Sequence, residues 1–396
     1  MKDGSMTRRR LLGQTLLAGC SAAASPLLTP VTLASAPGDN RLVVIVLRGG
    51  MDGLDVVQPL GDPALTRLRP DFKLGEAGGA ADLDGFFALH KAAGDLMPLW
   101  SAGELSFVHA VSTPYRGKRS HFDGQDFLEN GGGDPDGTLT NGRDGWLNRM
   151  LSLVPSSRTD TAIAVGRHAP LILSGDNPVG AWSPEADLDI SAQAELLLEQ
   201  IYAEDPLFAN AADTALELSA ERDAPDMSPA RAGKAEPLAA FAAERLNRDT
   251  RIAAFSIGGW DSHRRQMGVI ERPLKELATA LTTLKEKLGP NWQRTTVLAM
   301  TEFGRTVRQN GALGTDHGTG GAMVIAGGTL RAARVHGTWP GLGERALLND
   351  RDLMPTNDLR RYAGWALRGL YGLSSVDIER VVFPGVDLGL DPKFLA

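Results

Sequence analysis

Four short segments place acidic or histidine side chains beside glycines, a composition that suits a divalent metal ion. Carboxylate oxygens and imidazole nitrogens ligate Zn²⁺, Mn²⁺, Mg²⁺ or Ca²⁺. Glycines beside them allow sharp turns and the close approach of a substrate. Each segment alone is a weak signal, but together they favour one shared site. The predicted ligands are Asp52 in Gly49–Gly53, Asp261 and His263 in Gly258–His263, Glu302 in Thr301–Arg305, and Asp316 and His317 in Gly314–Gly320.

A fifth segment, Tyr115–Gln125, contains a hydroxyl, an imidazole and several cations. We expect it to open a helix that runs toward Glu129, and a helix N-terminus favours bound anions. Ser120 or His121 would then face a metal-bound anion, although Ser120 also has the residue type of a helix N-cap. Arginines in or near this segment can make charge-assisted hydrogen bonds to an oxyanion. The predicted catalytic residues are Ser120, His121, Arg119 and Arg305, with Arg116 as a further candidate cation.

Apolar runs rich in β-branched residues stand next to these segments and are predicted strands. They alternate with helical patterns, which indicates an α/β fold with a mainly parallel central sheet and helices on both faces. In open α/β sheets, sites assemble at the carboxyl ends of strands, where most of the candidate residues stand. The predicted strands are Leu42–Leu47, Leu105–Val111, Ile252–Ile257, Thr296–Met300 and Ala322–Ala326.

Helical spacing of leucines between Leu274 and Leu288 predicts a core helix that ends at Gly289-Pro290. A second helix is predicted over Leu359–Leu370. Residues 180–250, rich in Ala, Glu and Asp, are predicted to form a helical insertion. We expect residues 41–396 to form a single domain that carries this insertion.

The N-terminus has the pattern of a twin-arginine (Tat) signal peptide, with three consecutive arginines before a short apolar run in residues 8–20. The signal and an Ala/Ser/Pro-rich tether are predicted for residues 1–36. Two cleavage sites remain open: a lipobox that would leave a lipid on Cys20, or small-residue cleavage near Ala34 or Ala36. The predicted location is periplasmic or extracytoplasmic. The Tat translocase is the partner during export, and membrane contact is limited to the signal or a lipid anchor.

Charge and cysteine content restrict the partners of the exported part. The net charge is -7, and residues 1–36 carry +3, so the remainder has a net charge of -10. An acidic protein without a basic stripe is a poor match for nucleic acid or anionic lipid. Cys20 is the only cysteine, so the part that follows cannot form an internal disulfide.

The five segments resemble the motifs of the domain of unknown function 1501 family. Its members are commonly Tat-exported and belong to the alkaline-phosphatase-like superfamily, which also contains the sulfatases. The resemblance covers roughly residues 40–390 and implies an alkaline-phosphatase-like fold. It also implies a metal-binding role for Asp52, Asp261, His263 and His317, with the nucleophile at Ser120-His121.

Two departures from the superfamily pattern bear on the metal count. Glu302-Phe303 stands where the superfamily has Asp-His, and a phenylalanine cannot bind metal. Asp261 and His263 are also closer together than in the phosphatases. Asp316 or His121 would then complete the ligand set, or the site holds a single metal.

The function predicted from these features is an exported metal-dependent hydrolase of phosphate or sulfate esters. A divalent metal would polarise the ester of a small anionic substrate, and Ser120 or water would attack. A competing hypothesis is a catalytically inactive, metal-stabilised binding or assembly protein of the cell envelope. A third is an export-linked partner of another secreted enzyme.

Overall fold

The computed structural model describes residues 38–116, 118–133, 138–139, 142, 144–154, 157–166, 170–182 and 234–396. The predicted signal peptide lies outside these residues, as does most of the predicted insertion at 180–250. The described parts of that insertion include the strand Gly180–Trp182 and the helix Ala235–Leu246. Among the described helices, none has the length and apolar character needed to cross a bilayer.

The strands of the described residues are β1 Arg41–Leu47, β2 Val57–Pro59, β3 Ala81–Asp82, β4 Phe87–Leu89, β5 Leu105–Ser112, β6 Ala162–Val165, β7 Gly180–Trp182, β8 Ile252–Ile257, β9 Thr295–Thr301, β10 Gly321–Ala326, β11 Val335–His336, β12 Leu347–Leu348, β13 Asp352–Leu353 and β14 Asn357–Asp358. Nine of them form a sheet at the centre of the molecule, in the order β11-β5-β10-β9-β1-β8-β6-β7, with β14 also paired to β5. Strand β10 runs antiparallel to β5 and β9, and the other pairings in this sheet are parallel. The prediction of a mainly parallel sheet is therefore confirmed.

Both long helices predicted from apolar spacing are present, at Glu271–Leu288 and Leu359–Tyr371. The first ends at Gly289, whose φ of 54° is readily adopted by glycine and is followed by a proline. A π-helical turn covers Ile378–Val382. The other α-helices of the described residues are shorter and cover Gly53–Val56, Ala64–Leu68, Met97–Ser101, His121–Asn130, Trp146–Leu151, Ala235–Leu246, Gln266–Val269 and Ser375–Asp377.

The side chains of β1 alternate between two hydrophobic cores, one on each face of the sheet. Val43, Ile45 and Leu47 pack with the helices Ala235–Leu246 and Glu271–Leu288. The intervening side chains of β1 pack with the helices Trp146–Leu151 and Leu359–Tyr371. Each buried aliphatic side chain contributes about 1.5–3 kcal/mol. Helices therefore cover both faces, as predicted, which explains why β1 is apolar at every position but the first.

The register of the central strands determines where their following loops lie. Leu47, the last residue of β1, is level with Ile257 of β8 and Thr301 of β9. Because all three strands run in the same direction, their carboxyl ends form one edge of the sheet. The segments Gly49–Gly53, Gly258–His263 and Glu302–Arg305 leave the sheet at this edge.

His109 is a buried residue of β5 that is held in its neutral form. Its Nε2 lies 3.2 Å from the Gly53 carbonyl and 3.0 Å from the Val57 carbonyl, while Nδ1 accepts from the Ala110 N–H. Burial, only partly offset by these backbone contacts, lowers the pKa of His109 to about 4. Both ring nitrogens of His109 are therefore occupied by backbone groups.

We predict that His109 makes the fold acid-sensitive between about pH 6.5 and pH 4. The unfolded chain takes up a proton at this histidine near pH 6.5, whereas the folded chain does so only near pH 4. The contribution of neutral His109 to the free energy of unfolding is therefore fully present above pH 6.5 and is lost as the pH falls toward 4. The lowering of the His109 pKa corresponds to about 3 kcal/mol of the free energy of unfolding. Denaturant unfolding of the wild type and of His109→Gln at both pH values should show a smaller loss in the variant. Equal losses in both proteins would contradict the prediction.

Candidate metal centre

Three imidazoles and one carboxylate converge at the carboxyl edge of the sheet. We call His121, Asp261, His263 and His317 the histidine–aspartate cluster. The Nε2 atoms of His263 and His317 are 2.9 Å apart. Asp261 Oδ1 lies 3.1 Å from His263 Nε2 and 3.5 Å from His317 Nε2, and its Oδ2 lies 3.6 Å from His121 Nε2.

The four members of the cluster come from three segments at this edge. His121 begins the helix His121–Asn130 after β5, the segment with Asp261 and His263 follows β8, and His317 precedes β10. Gly49, after β1, has a φ of +126°, and a Cβ there would lie 2.6 Å from the Asp261 amide nitrogen. The glycine therefore lets the loop after β1 pack directly against the loop that carries Asp261.

The second ring nitrogen of each histidine lies against an oxygen that can only accept. His121 Nδ1 is 2.8 Å from Glu302 Oε1, and His263 Nδ1 is 3.2 Å from Asp316 Oδ1. The third acceptor is the backbone carbonyl of Arg119, 2.6 Å from His317 Nδ1. These contacts fix the ring orientations and direct all three Nε2 atoms toward Asp261.

The local charges favour an ionised carboxylate at the centre. Burial alone would raise the pKa of Asp261, but the hydrogen bond and charge of Arg305, with the neighbouring histidines, lower it overall. The hydrogen bond to Glu302 raises the pKa of His121, whereas burial lowers the pKa of His317. A cation at the centre would therefore meet a carboxylate that is already negative.

Glu302 and Asp316, predicted as ligands, orient the cluster and are not members of it. Glu302 Oε1 also accepts from Gln125 Nε2 and from the Gly49 N–H. Asp316 Oδ1 also accepts from Asn310 Nδ2. We call Glu302 and Asp316 the orienting carboxylates. His121, predicted to be catalytic, instead lies where a ligand would lie.

Asp52 is not brought to the cluster. Its carboxylate makes a bidentate ion pair with Arg69, at 2.6 and 3.0 Å, and both side chains are almost fully buried. It also caps the helix Gly53–Val56 by accepting from the Leu54 N–H. These contacts correct its assignment as a ligand, because both of its oxygens already serve the ion pair and the cap.

The predicted catalytic arginines are also committed to structural contacts. Arg305 is buried and donates to Asp261 Oδ1 at 2.6 Å, and to the carbonyls of Gly49, Gly50 and Thr315. The Arg119 guanidinium pairs with the buried Asp352 at 3.0 Å. Both arginines therefore position loops of the site instead of presenting a free cation to a ligand.

Ser120 and Arg116 flank the cluster in sequence. Ser120 occupies the N-cap position of the helix His121–Asn130, yet its hydroxyl makes no capping bond. The residue is half-buried and directly precedes His121. Arg116 is exposed and donates to the carbonyls of Thr113 and Tyr115.

Sequence reasoning missed three polar residues that support the site. Gln125 links Glu302 to Arg48, which in turn pairs with Glu129. Asn310 holds Asp316 and also donates to the His263 carbonyl. Asn310 stands before a glycine, a pattern that indicates only a turn. Their roles become visible only when the loops are brought together.

The donor set fits a metal ion. Ligand atoms of His121, Asp261 and His317 all lie within 4.8 Å of one another. His121 Nε2 is buried without a hydrogen-bond partner among the described residues, which is costly unless another group fills the space. In a tetrahedral zinc site, neighbouring ligand atoms are about 3.3 Å apart. The Asp261 and His263 side chains are 47% and 42% exposed, so the centre is open to solvent.

A cavity of about 520 Å³ lies at the same edge, next to the loop that carries Asp261. Its wall includes Ser256, Gly258 and Gly259 at the end of β8, and Arg272 and Glu276 on the helix Glu271–Leu288. Ser256 accepts a hydrogen bond from Arg48, which joins this cavity to the network around Glu302. No member of the histidine–aspartate cluster is among the residues that line it.

Comparisons with known proteins give one family and distant structural likenesses. The chain is similar to the PH0037 protein from Pyrococcus horikoshii, with 11% identity and a TM-score of 0.36 over 75% of this chain and 92% of that one. It is similar to Ps i-CgsB, with 9% identity and a TM-score of 0.35 over 86% and 74%. No curated protein matches it. The family model described as protein of unknown function (DUF1501) matches residues 39–365, so the chain belongs to the DUF1501 family.

Proposed function

We propose that this protein is an exported, metal-dependent hydrolase of phosphate or sulfate esters with an alkaline-phosphatase-like architecture. The observation that carries the proposal is the convergence of three oriented imidazoles on Asp261 at an open edge of the sheet. Ligand sites in open α/β sheets occur at such edges. Tat export of an already folded protein would also account for the disulfide-free body behind the predicted signal.

The chain's own residues have distinct roles in this proposal. The histidine–aspartate cluster would hold a divalent metal, which when bound polarises an ester oxygen and activates water. The Ser120 hydroxyl attacks phosphorus or sulfur and displaces the alcohol, and water then releases the anion and restores the serine. In the alternative route, water attacks directly. Arg305 keeps Asp261 ionised and in position.

Attraction of an anionic substrate needs positive charge that is not already paired with a carboxylate. Arg119 and Arg305 do not meet this need, because both are ion-paired. Lys118 and Arg264 are exposed and stand next in sequence to Arg119 and His263. Exposed cations at these positions would supply positive charge near the site and steer anions toward it.

The export proposal rests on residues 1–36, which contain the consecutive arginines and Cys20. The Tat translocase would carry the folded protein to the periplasm or cell surface. A lipid on Cys20 would then retain it at the membrane. Fractionation of cells that express Arg8→Lys/Arg9→Lys should show retention in the cytoplasm.

Hydrolysis is tested with 4-nitrophenyl phosphate and 4-nitrophenyl sulfate. We expect release of 4-nitrophenol from at least one of them by the metal-loaded protein, and loss of that activity after chelation. Ser120→Ala separates the two routes: the serine route predicts a loss of at least about 100-fold, whereas direct attack by water predicts little change. Metal-loaded protein that hydrolyses neither these nor other simple phosphate and sulfate esters would exclude the hydrolase.

That negative result would favour the second candidate, a metal-stabilised binding or assembly protein of the cell envelope. Two observations support this alternative. Both candidate arginines are occupied by carboxylates, and Phe303 packs beside both His121 and His317, with ring centroids 5.1 and 4.9 Å away. A metal that serves only stability would raise the melting temperature without any turnover.

A further inference from the structure

We infer that the centre is selective for a first-row transition metal over Mg²⁺ and Ca²⁺, and that the orienting carboxylates impose this selectivity through the histidine rings. The inference rests on the proposed metal centre and does not depend on ester hydrolysis. It assigns Glu302 and Asp316 as positioning residues, which touch no metal themselves.

The protonation of each ring follows from its neighbours. A carboxylate or a backbone carbonyl can only accept a hydrogen bond, so the ring nitrogen that faces it must donate. Nδ1 of His121 faces Glu302, Nδ1 of His263 faces Asp316, and Nδ1 of His317 faces a carbonyl. In the neutral form, each histidine then carries its proton on Nδ1 and a lone pair on Nε2.

Those lone pairs point at one another and at a carboxylate. The Nε2 atoms of His263 and His317 are separated by 2.9 Å, and Asp261 Oδ1 is within 3.5 Å of both. Such a group of acceptors is repulsive unless a cation lies among them. A metal ion among His121, Asp261 and His317, whose ligand atoms all lie within 4.8 Å of one another, would satisfy the buried Nε2 of His121, which has no hydrogen-bond partner among the described residues. His263 adjoins this group through His317 and Asp261.

The ligand chemistry then selects the metal. Imidazole nitrogens suit Zn²⁺ or Co²⁺, whereas Ca²⁺ takes six to eight oxygens and Mg²⁺ requires near-octahedral coordination, mainly by oxygens and retained water. Asp261 is the one carboxylate in the cluster, and its Oδ1 is shared with Arg305. Glu302 Oε1 and Asp316 Oδ1 are taken up by the histidines, Gln125 and Asn310. A hard cation at the cluster would therefore meet imidazole nitrogens and a single carboxylate, Asp261, as its nearest protein donors.

Phe303 strengthens this preference. It is buried, packs against His121 and His317, and lines the side of the cluster nearest those rings. An apolar wall offers no hydrogen bonds to the water molecules that Mg²⁺ retains in protein sites. Phe303, which stands where the superfamily pattern has a histidine, thus favours ligation through nitrogen.

Metal selectivity is measured by equilibrium dialysis of the purified full-length protein, followed by elemental mass spectrometry. The protein is given Zn²⁺ or Co²⁺ together with a 100-fold excess of Mg²⁺ and Ca²⁺. That excess favours the competing ions by about 2.7 kcal/mol. We expect the transition metal to be retained. Displacement by Mg²⁺ or Ca²⁺ would overturn the inference.

The positioning role is tested with Glu302→Gln and Asp316→Asn. Removal of a partner that orients a ligating histidine lowers metal affinity by about 10–100-fold. The d–d absorption of bound Co²⁺ reports its ligand geometry and should change in both variants. Asp55→Asn is the control, because Asp55 is a buried carboxylate that contacts Gln266 and Gln58 and no member of the cluster. Asp316 is half-exposed, so its variant should fold even if Glu302→Gln does not.

The outcomes separate this inference from the proposed function. Unchanged affinity and an unchanged Co²⁺ spectrum in both variants would refute the positioning role, as would an equal effect of Asp55→Asn. Binding of none of the metals would refute the centre itself. Selective binding without ester hydrolysis would support the inference and remove only the hydrolase.

Discussion

Asp261→Asn is expected to lose its metal while keeping its fold. Asp261 supplies the only carboxylate of the histidine–aspartate cluster and lies between the three Nε2 atoms. Its replacement removes the negative charge that offsets the cation and leaves the neighbouring Arg305 charge uncompensated. Loss of a residue that merely orients a ligand costs about 10–100-fold in metal affinity, so we expect a loss greater than about 100-fold here.

The measurement is metal content per chain after dialysis against metal-free buffer, with unfolding followed by circular dichroism. His121→Ala should behave in the same way, because it removes the ligand with the buried, unpartnered Nε2. His336→Gln is the matched control, since it replaces a histidine of β11 that has no contact with the cluster. Full metal content in Asp261→Asn would eliminate the proposed centre.

Arg69→Met is expected to destabilise the fold by about 3–5 kcal/mol, the cost of leaving one partner of a buried ion pair alone. The Arg69 side chain has no exposure, and its guanidinium holds Asp52 and the carbonyls of Thr306 and Val307. Asp52 would remain buried near Asp55, since Gln266 donates to both. Without the cation, the carboxylates of Asp52 and Asp55 repel each other, and their burial is no longer offset by an opposite charge.

Denaturant unfolding of three variants tests this account. The double variant Arg69→Met/Asp52→Asn should recover part of the loss, because the buried charge is then removed. Arg158→Gln breaks an ion pair of the same 2.6 Å length, with Asp160, on the exposed surface. Its effect should be far smaller, because solvent screens that pair. Similar losses from Arg69→Met and Arg158→Gln would show that burial of the pair is not the cause.

The contrast between Asp52 and Asp261 shows the limit of motif reading. Both are acidic residues in glycine-rich segments after parallel strands, and both were predicted to bind metal. Arg69, 17 residues further along the chain, pairs with Asp52. Three histidines from separate loops surround Asp261. Which of these partners each carboxylate meets depends on how the loops pack, and no local pattern contains that information.

The orienting carboxylates make the same point at shorter range. Glu302 and Asp316 have carboxylates that could bind metal, and each contacts a member of the cluster. Glu302 contacts His121, and Asp316 contacts His263 and directly precedes His317. The helix that starts at His121 brings this imidazole to within 2.8 Å of Glu302, so the ring takes the inner position and the carboxylate the outer one. A change of a few ångströms in the helix position would reverse those roles.

The amino-acid sequence alone predicted five strands of the central sheet, β1, β5, β8, β9 and β10, together with the two long helices and the edge at which the candidate site lies. Apolar periodicity and glycine position are local properties, and they depend on burial and backbone sterics within a few residues. The tertiary structure decided which donors face one another, since it brings together loops after β5 and β8 and before β10 that are far apart in the chain. It also decided ring orientation and charge pairing, because both depend on contacts at hydrogen-bond distance.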